Sequence, residues 1–275
     1  MKETLPTEPA RRNIMPTLTN EGVELYYEVH GAGTPLLLSH GYSSTCAMWQ
    51  GQIEPITNAG YKLIIWDMRG HGQSAYPEDP LAYSVAHTIS DMAAILDIVS
   101  EKGQPAIVGG LSLGGYMSLA FYRIYSERVV KLLIIDTGPG YRSDKARDAW
   151  NKTSFETAAR FEREGLSSLQ SASPERSQVK HRNAKGLAHA ARGMLAQRGS
   201  EIIDSLPAIT VPSLVVVGDE DKPFLGAAEY MTKRIPGANK VVIPSAGHSA
   251  NIDQPQAFNK VVLDFLRDSS KSSKL

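Results

Sequence analysis

Gly110-Leu111-Ser112-Leu113-Gly114 is the most informative segment of this 275-residue chain. An apolar run at 106–108 precedes it and a helical pattern at 113–125 follows it, so the serine should lie on a sharp turn from a strand into a helix. A Cβ at either glycine would crowd this turn. The first turn of the helix presents free N–H groups and the positive end of the helix dipole beside the hydroxyl. The pattern therefore predicts a nucleophile elbow with Ser112 as the reactive residue.

Other polar segments also follow apolar runs. They are Ser39-His40-Gly41-Tyr42 after 36–38, Gly218-Asp219-Glu220-Asp221 after 214–217, and Ala246-Gly247-His248-Ser249 after 241–243. Serine, then acid, then histidine is the chain order of α/β hydrolases, and it differs from the orders in chymotrypsin and subtilisin. From about residue 17 to 268 the chain resembles the α/β-hydrolase superfamily, most closely the small lactonase and esterase-like branch that includes 3-oxoadipate enol-lactonases.

The resemblance implies a catalytic role for each of three side chains. A serine hydroxyl is a weak nucleophile at neutral pH and needs an adjacent base. His248 is that base, and later the acid that protonates the leaving group. An acid must hold the imidazole in the right tautomer. Asp221 is preferred because the family pattern after this strand is G-x-x-D, and Asp219 and Asp136 are the alternatives.

The developing oxyanion needs donors that are already in place. By the same resemblance these are the backbone N–H groups of Leu113, directly after the nucleophile, and of Tyr42, directly after Gly41. The Tyr42 side chain is also a candidate for contact with the substrate. The turn at 67–74 resembles the loop after the family's fourth strand, and Arg69 is expected to brace it rather than to react.

Strand-like and helical patterns alternate along most of the chain, which predicts an α/β fold with a mostly parallel sheet flanked by helices. The run at 25–29 with its neighbours should start the sheet as an antiparallel hairpin. Ligands of such sheets bind at the carboxyl ends of the strands, where the polar segments fall. The predicted strands are 25–29, 36–38, 63–66, 106–108, 132–135, 214–217 and 241–243, and the predicted helices include 85–99, 113–125 and 258–266.

Residues 140–206 interrupt this alternation of strands and helices, because they lack strand-like apolar runs. Their helical patterns lie at 153–165, 178–182 and 186–197. The segment falls where this family inserts its cap. The predicted organisation is a lead-in at 1–16, an α/β-hydrolase core at 17–139 and 207–268, a helical cap insertion at 140–206, and a tail at 269–275.

The predicted cap is basic. Between residues 140 and 199 there are twelve Lys and Arg against six Asp and Glu, whereas the whole chain has 29 of each. One interpretation is a solvated helical face paired with an acidic core, and the other is a pocket roof that attracts anionic substrates. Candidates for a role in such a roof are Arg142, Arg182 and Arg192. The predicted substrate contacts are Arg182 and Arg192 together with Tyr42.

Composition excludes several classes of protein. The net charge is zero, which argues against nucleic-acid binding. No stretch approaches the 18 or more apolar residues of a membrane span. The single cysteine, Cys46, fits a reducing compartment. No G-x-G-x-x-G fingerprint follows a strand and no H-E-x-x-H motif occurs, so neither a cofactor nor a metal is predicted.

The sequence ends in Ser273-Lys274-Leu275, the peroxisomal address S-K-L. This tripeptide predicts a peroxisomal protein whose partners include the import receptor as well as a small-molecule substrate. We expect a serine hydrolase that cleaves an ester, a lactone or a thioester, with fatty-acyl-derived metabolites and fungal secondary metabolism as candidate settings. The alternatives are carbon–carbon bond hydrolysis or perhydrolysis by the same triad, and a non-catalytic relative that only binds small molecules.

Overall fold

The strands form a single mixed sheet. A computed structural model describes residues 16–101 and 103–268. Within them the strands are β1 Thr17–Asn20, β2 Val23–His30, β3 Thr34–Ser39, β4 Tyr61–Trp66, β5 Ala106–Leu111, β6 Val129–Ile135, β7 Ser213–Gly218 and β8 Asn239–Ile243. Their order across the sheet is β1-β2-β4-β3-β5-β6-β7-β8.

Strand direction confirms the predicted fold class. β3 to β8 run parallel, and only β1 and β2 pair antiparallel with their neighbours among the described strands. β1 and β2 are the hairpin expected around 25–29. Each of the seven predicted strands is present and extends beyond its predicted bounds at one or both ends.

The centre of the sheet is buried on both faces. Successive side chains of a strand point to opposite faces. Leu37 and Val108 therefore pack in one apolar layer, while Leu36, Leu38 and Ile107 pack in the other. This two-sided burial explains why the central strands read as continuous apolar runs.

Helices cover both faces and build the segment between β6 and β7. In the described residues they are α1 Gln50–Asn58, α2 Val85–Val99, α3 Leu113–Ile124, α4 Asp144–Glu164, α5 Pro174–Gln178, α6 Ala184–Ala190, α7 Glu201–Ser205, α8 Lys222–Arg234, α9 Ala250–Asp253 and α10 Pro255–Arg267. α2 has the predicted bounds, and α3 and α10 differ from prediction by a few residues.

The helices between β6 and β7 depart most from prediction. The expected helix at 178–182 is wrong, since α5 ends at Gln178 and the following residues are extended or bent. α4 begins nine residues before the predicted start, because the Ser143 side chain accepts a hydrogen bond from the Ala146 N–H and caps it there. α4 packs against α6 and the π-helical turn Ala191–Leu195 that continues it. Together these helices lie over the carboxyl ends of the parallel strands.

Candidate active site

Ser112 occupies a strained backbone position between β5 and α3. Its φ is 54°, a value that residues other than glycine rarely adopt and that is often found at functional sites. The chain is so tightly packed here that a Cβ on Gly110 would lie 2.6 Å from the Ser39 oxygen, and one on Gly114 would lie 2.2 Å from it. The Ser112 N–H donates to the Ile135 carbonyl at 2.9 Å. The elbow is thereby held between the ends of β3 and β6.

His248 and Asp221 form a hydrogen-bonded pair beside this elbow. His248 Nδ1 lies 2.8 Å from Asp221 Oδ2, and the aspartate side chain is only 5% exposed. Phe224 stacks on the imidazole with ring centroids 4.9 Å apart. A carboxylate on Nδ1 makes that nitrogen the donor and leaves Nε2 free to accept a proton. Ser112, Asp221 and His248 line the same cavity.

The two alternative acids lie elsewhere. Asp219 is exposed, and its carboxylate accepts a hydrogen bond from the Ala246 N–H at 3.3 Å. Asp136 is fully buried and accepts from the N–H groups of Gly218 at 2.8 Å and Ala250 at 3.3 Å. Burial raises the pKa of Asp136 to about 7, against the lowering effect of these donors. Asp136 thus ties together the loops that carry Asp221 and His248, while Asp221 holds the imidazole.

The loop after β3 lies against the nucleophile. A Cβ on Gly41 would be 3.5 Å from the Ser112 Cβ. His40 orders this loop, since its Nδ1 contacts the Gly41 carbonyl at 2.7 Å and its Nε2 accepts from the Met68 N–H at 3.0 Å. Burial lowers the pKa of His40 to about 3, so the ring is neutral, as this pair of contacts requires.

The predicted oxyanion donors belong to the segments that meet at this point. Leu113 is the first residue of α3, so its N–H lies outside the hydrogen-bond ladder of the helix. Tyr42 directly follows Gly41, and its side chain lines the cavity that holds the three predicted catalytic residues. The structure therefore places both residues close to Ser112, and the role of their N–H groups as oxyanion donors stays a prediction.

The loop after β3 is also fastened to the helices above it. The Tyr42 hydroxyl donates to the Leu187 carbonyl on α6 at 2.8 Å. His181 Nε2 contacts the Ser43 carbonyl at 3.1 Å, and its Nδ1 accepts from the Gly72 N–H at 3.1 Å. Burial lowers the pKa of His181, which favours the neutral ring that can donate from one nitrogen and accept at the other.

Arg69 braces the turn at 67–74, as expected. Its Nε and terminal nitrogen donate to both oxygens of Asp91 at 2.8 and 2.7 Å. The two side chains are 1% and 0% exposed, so this is a buried bidentate ion pair. It fastens the turn to α2, which carries Asp91.

Two cavities meet at Ser112, and we call them the large chamber and the small chamber. The large chamber has a volume of about 760 Å³ and contains Asp221 and His248. The small chamber has a volume of about 80 Å³ and contains neither. The residues that line both are Ser112, Trp150, Leu195, Pro223 and Phe224.

The predicted substrate contacts Arg182 and Arg192 need correction. Neither lines either chamber. Arg182 donates to the Gln73 carbonyl on the turn at 67–74. Arg192 pairs with Glu162 at 2.8 Å on the outer surface. Arg182 lies between α5 and α6, and Arg192 lies on the π-helical turn Ala191–Leu195. Local sequence does not fix the packing that directs both side chains away from the two chambers.

The arginines that do line the large chamber are Arg160 and Arg176. Acidic residues line it as well: Glu175, which accepts a hydrogen bond from the Ser44 hydroxyl, and Asp253. Burial raises the pKa of Glu175. Since acids oppose the arginines, the chamber is not a uniformly basic roof, and the structure favours the interpretation of a solvated basic surface.

The residues described by the structure hold neither a cluster of potential metal ligands nor a helix that is long and apolar enough to cross a membrane.

The model of the Alpha/beta hydrolase family matches residues 36–261. The chain belongs to this family. The sequence-based assignment to it is therefore confirmed.

Relatives within the family carry several activities. A thermophilic esterase from Thermogutta terrifontis is 31% identical, with a TM-score of 0.77 and coverage of 91% of this chain and 96% of that one. The 3-oxoadipate enol-lactonase 1 of Acinetobacter baylyi is 24% identical over 272 residues, which are 91% of this chain and 96% of that protein. A non-heme chloroperoxidase of Kitasatospora aureofaciens is 25% identical over 268 residues, 90% and 98% of the two chains. Esterase and lactonase relatives are thus established, as expected.

Proposed function

We propose that the protein is a serine hydrolase that cleaves a carboxylic ester, lactone or thioester through an acyl-enzyme. The observation that carries this proposal is the strained Ser112 elbow, which opens into the same chamber as the His248–Asp221 pair. A binding protein would have no need of a hydrogen-bonded imidazole and carboxylate in the same chamber as a half-buried serine hydroxyl. The esterase and enol-lactonase relatives support the same class of reaction.

The proposed reaction has two halves. In the first, Ser112 Oγ attacks the carbonyl carbon while His248 Nε2 takes its proton, and the N–H groups of Leu113 and Tyr42 stabilise the oxyanion. The carbon–oxygen or carbon–sulfur bond to the leaving group then breaks, and His248 returns the proton to that group. In the second half, water attacks the acyl-enzyme with His248 as base, and the acid leaves with Ser112 restored. Asp221 holds Nδ1–H throughout.

Perhydrolysis is the second candidate, because one full-length relative is a non-heme chloroperoxidase. Hydrogen peroxide would replace water in the second half, and the product would be a peracid. Product analysis with and without peroxide separates the two outcomes.

Removal of the nucleophile tests the proposal. Ser112→Ala should lose labelling by a fluorophosphonate probe and about 10⁴ to 10⁶ in kcat on p-nitrophenyl esters, as expected when a triad loses its nucleophile. Ser126→Ala is the matched control, since Ser126 is exposed and follows the same helix. If Ser112→Ala keeps its activity while it folds normally, the chemistry belongs to another residue.

We further propose that Ser273-Lys274-Leu275 directs the protein to peroxisomes through their import receptor. These residues lie outside the described part of the chain, and the proposal requires Leu275 to carry the free carboxylate. A fluorescent protein fused to the N-terminus should give punctate peroxisomal signal, and deletion of the tripeptide should make it diffuse. Punctate signal that survives the deletion would place the address elsewhere. A peroxisomal setting suits esters or CoA thioesters of metabolites derived from fatty acyl chains.

A further inference from the structure

We infer that the small chamber holds the acyl group of the substrate, that Tyr116 limits this group to about four carbons, and that the group carries a hydrogen-bonding substituent for Gln197. This inference rests on the proposed serine hydrolase, because it assigns the two sides of the scissile bond to the two chambers. It makes the protein an enzyme for short-chain acyl esters or thioesters with a large leaving group.

Proton transfer decides which chamber takes which group. The leaving group must receive its proton from His248, so it has to depart on the side where the imidazole lies. His248 lines the large chamber and does not line the small one. The acyl group therefore occupies the small chamber, and the leaving group occupies the large chamber.

Volume then limits the acyl group. The small chamber measures about 80 Å³, whereas an apolar cavity of about 150 Å³ holds a benzene ring of six carbons. Roughly three carbons beyond the carbonyl fill it, which corresponds to a butanoyl group. The large chamber, at about 760 Å³, has room for a leaving group many times larger. A long chain is thus accommodated on the leaving-group side of the bond only.

Tyr116 forms the wall that closes the small chamber. It projects from α3, is 8% exposed, and also lines a separate cavity of about 530 Å³ at the protein surface. That cavity includes Ile89 and Ala120 and has no lining residue other than Tyr116 in common with the small chamber. The Tyr116 side chain therefore separates the two, and its removal should join them into one longer channel.

Gln197 supplies the polar element of this small chamber. It is 7% exposed, and its backbone is fixed by a pair of hydrogen bonds to the Asn151 side chain. Its buried side-chain oxygen has no hydrogen-bond partner among the described residues. A buried polar group without a partner is costly unless a ligand satisfies it. A hydroxyl or N–H on the acyl group is the chemistry that fits.

A series of p-nitrophenyl esters tests the length limit with a constant leaving group. For the wild type, kcat/KM should stay high from acetate to butanoate and fall at least about tenfold by octanoate, since overfilled apolar sites are strained. Tyr116→Ala should raise kcat/KM for octanoate about tenfold or more. Tyr116→Phe, which keeps the ring, should retain the wild-type cutoff. Ala227→Phe, which fills the small chamber, should lower butanoate use more than acetate use.

Fluorophosphonate labelling separates the possible failures. A wild type that is not labelled and hydrolyses none of the esters contradicts the proposed function itself. A labelled wild type that cleaves octanoate as fast as butanoate overturns the chamber assignment alone. An unchanged cutoff in Tyr116→Ala, with labelling and folding intact, removes Tyr116 as the wall.

The Gln197 contact has its own comparison. In the wild type, kcat/KM should be about tenfold higher for the 3-hydroxybutanoate ester than for the butanoate ester. Only the former has a hydroxyl that can donate a hydrogen bond to the Gln197 side-chain oxygen. Gln197→Leu should abolish this preference. Gln170→Leu, a change at an exposed glutamine of the same segment that lines neither chamber, should keep it. A preference that persists in Gln197→Leu would show that a group other than Gln197 binds the hydroxyl.

Discussion

Substitution of Gly114 by alanine should damage both the fold and the reaction. The added Cβ would lie 2.2 Å from the Ser39 oxygen, 2.6 Å from the Ser39 carbonyl carbon and 2.7 Å from the His40 oxygen. All three are backbone atoms of β3 and its loop, so no side chain can rotate away. Overpacking of a close-packed site typically costs about 1–3 kcal/mol. Because the backbone itself must move, we expect a loss at the upper end, about 3 kcal/mol of unfolding free energy.

Urea unfolding and ester hydrolysis measure the two effects of Gly114→Ala. A loss of about 3 kcal/mol corresponds to a Tm lower by roughly 6–12 °C for a chain of this size. The displaced loop carries the Tyr42 amide, so kcat should fall about 10²- to 10³-fold, as when an oxyanion donor is lost. Gly226→Ala is the control, since a Cβ there meets nothing within 4 Å on exposed α8 and should stabilise by about 0.5–1 kcal/mol. A Gly114→Ala protein within about 1 kcal/mol of the wild type would refute the packing argument.

Three other substitutions probe separate contacts. Asp221→Asn should lower kcat about 10⁴-fold because the amide no longer fixes the His248 tautomer, whereas Asp219→Asn should retain most activity. If steady-state kinetics show the larger loss in Asp219→Asn, the assignment of Asp221 is wrong. Asp91→Asn leaves the buried Arg69 charge without its partner and should cost about 3–5 kcal/mol in urea unfolding, and a loss under 1 kcal/mol would argue against a buried pair. The pKa of His181 is lowered in the folded state, so the unfolded chain takes up the proton at a higher pH than the folded chain does. The contribution of the neutral His181 ring to stability is therefore present above a pH of about 6.5 and is lost as the pH falls. His181→Gln should therefore flatten the acid side of the stability profile, and identical profiles would contradict this assignment.

The strands were predictable because their burial is two-sided. A central parallel strand needs apolar residues on both faces, so runs such as Leu36–Leu37–Leu38 stand out from the surrounding sequence. The hairpin strand β1, by contrast, has the burial pattern of a half-exposed edge and shows no such run. The prediction of a helix at 178–182 was wrong because the helix begins four residues earlier, at Pro174. Proline is favoured in the first turn of a helix.

The candidate site was predictable where the chain itself fixes position. Ser112 and Asp221 follow the buried strands β5 and β7, and His248 follows the more exposed strand β8. Parallel strands bring their carboxyl ends to one edge of the sheet. The side chains from the inserted helices were not predictable in the same way. Arg160 and Arg182 are both basic residues of that segment, yet only Arg160 lines the large chamber. Arg160 lies on α4, whereas Arg182 lies between α5 and α6 and donates to the Gln73 carbonyl. Local sequence does not encode how these parts of the inserted segment pack.

The hydrogen bond from the Tyr42 hydroxyl to the Leu187 carbonyl couples the loop after β3 to the position of α6. The same residue carries a proposed oxyanion donor on its backbone and a tether to the overlying helices on its side chain. Any displacement of α6 away from the loop after β3 would have to break this hydrogen bond, and the loop that carries the proposed donor would then lose that support. If a substrate enters by displacing α6, the proposed oxyanion site would be complete only after α6 returns, so a molecule that prevents this return would react slowly even when it reaches Ser112.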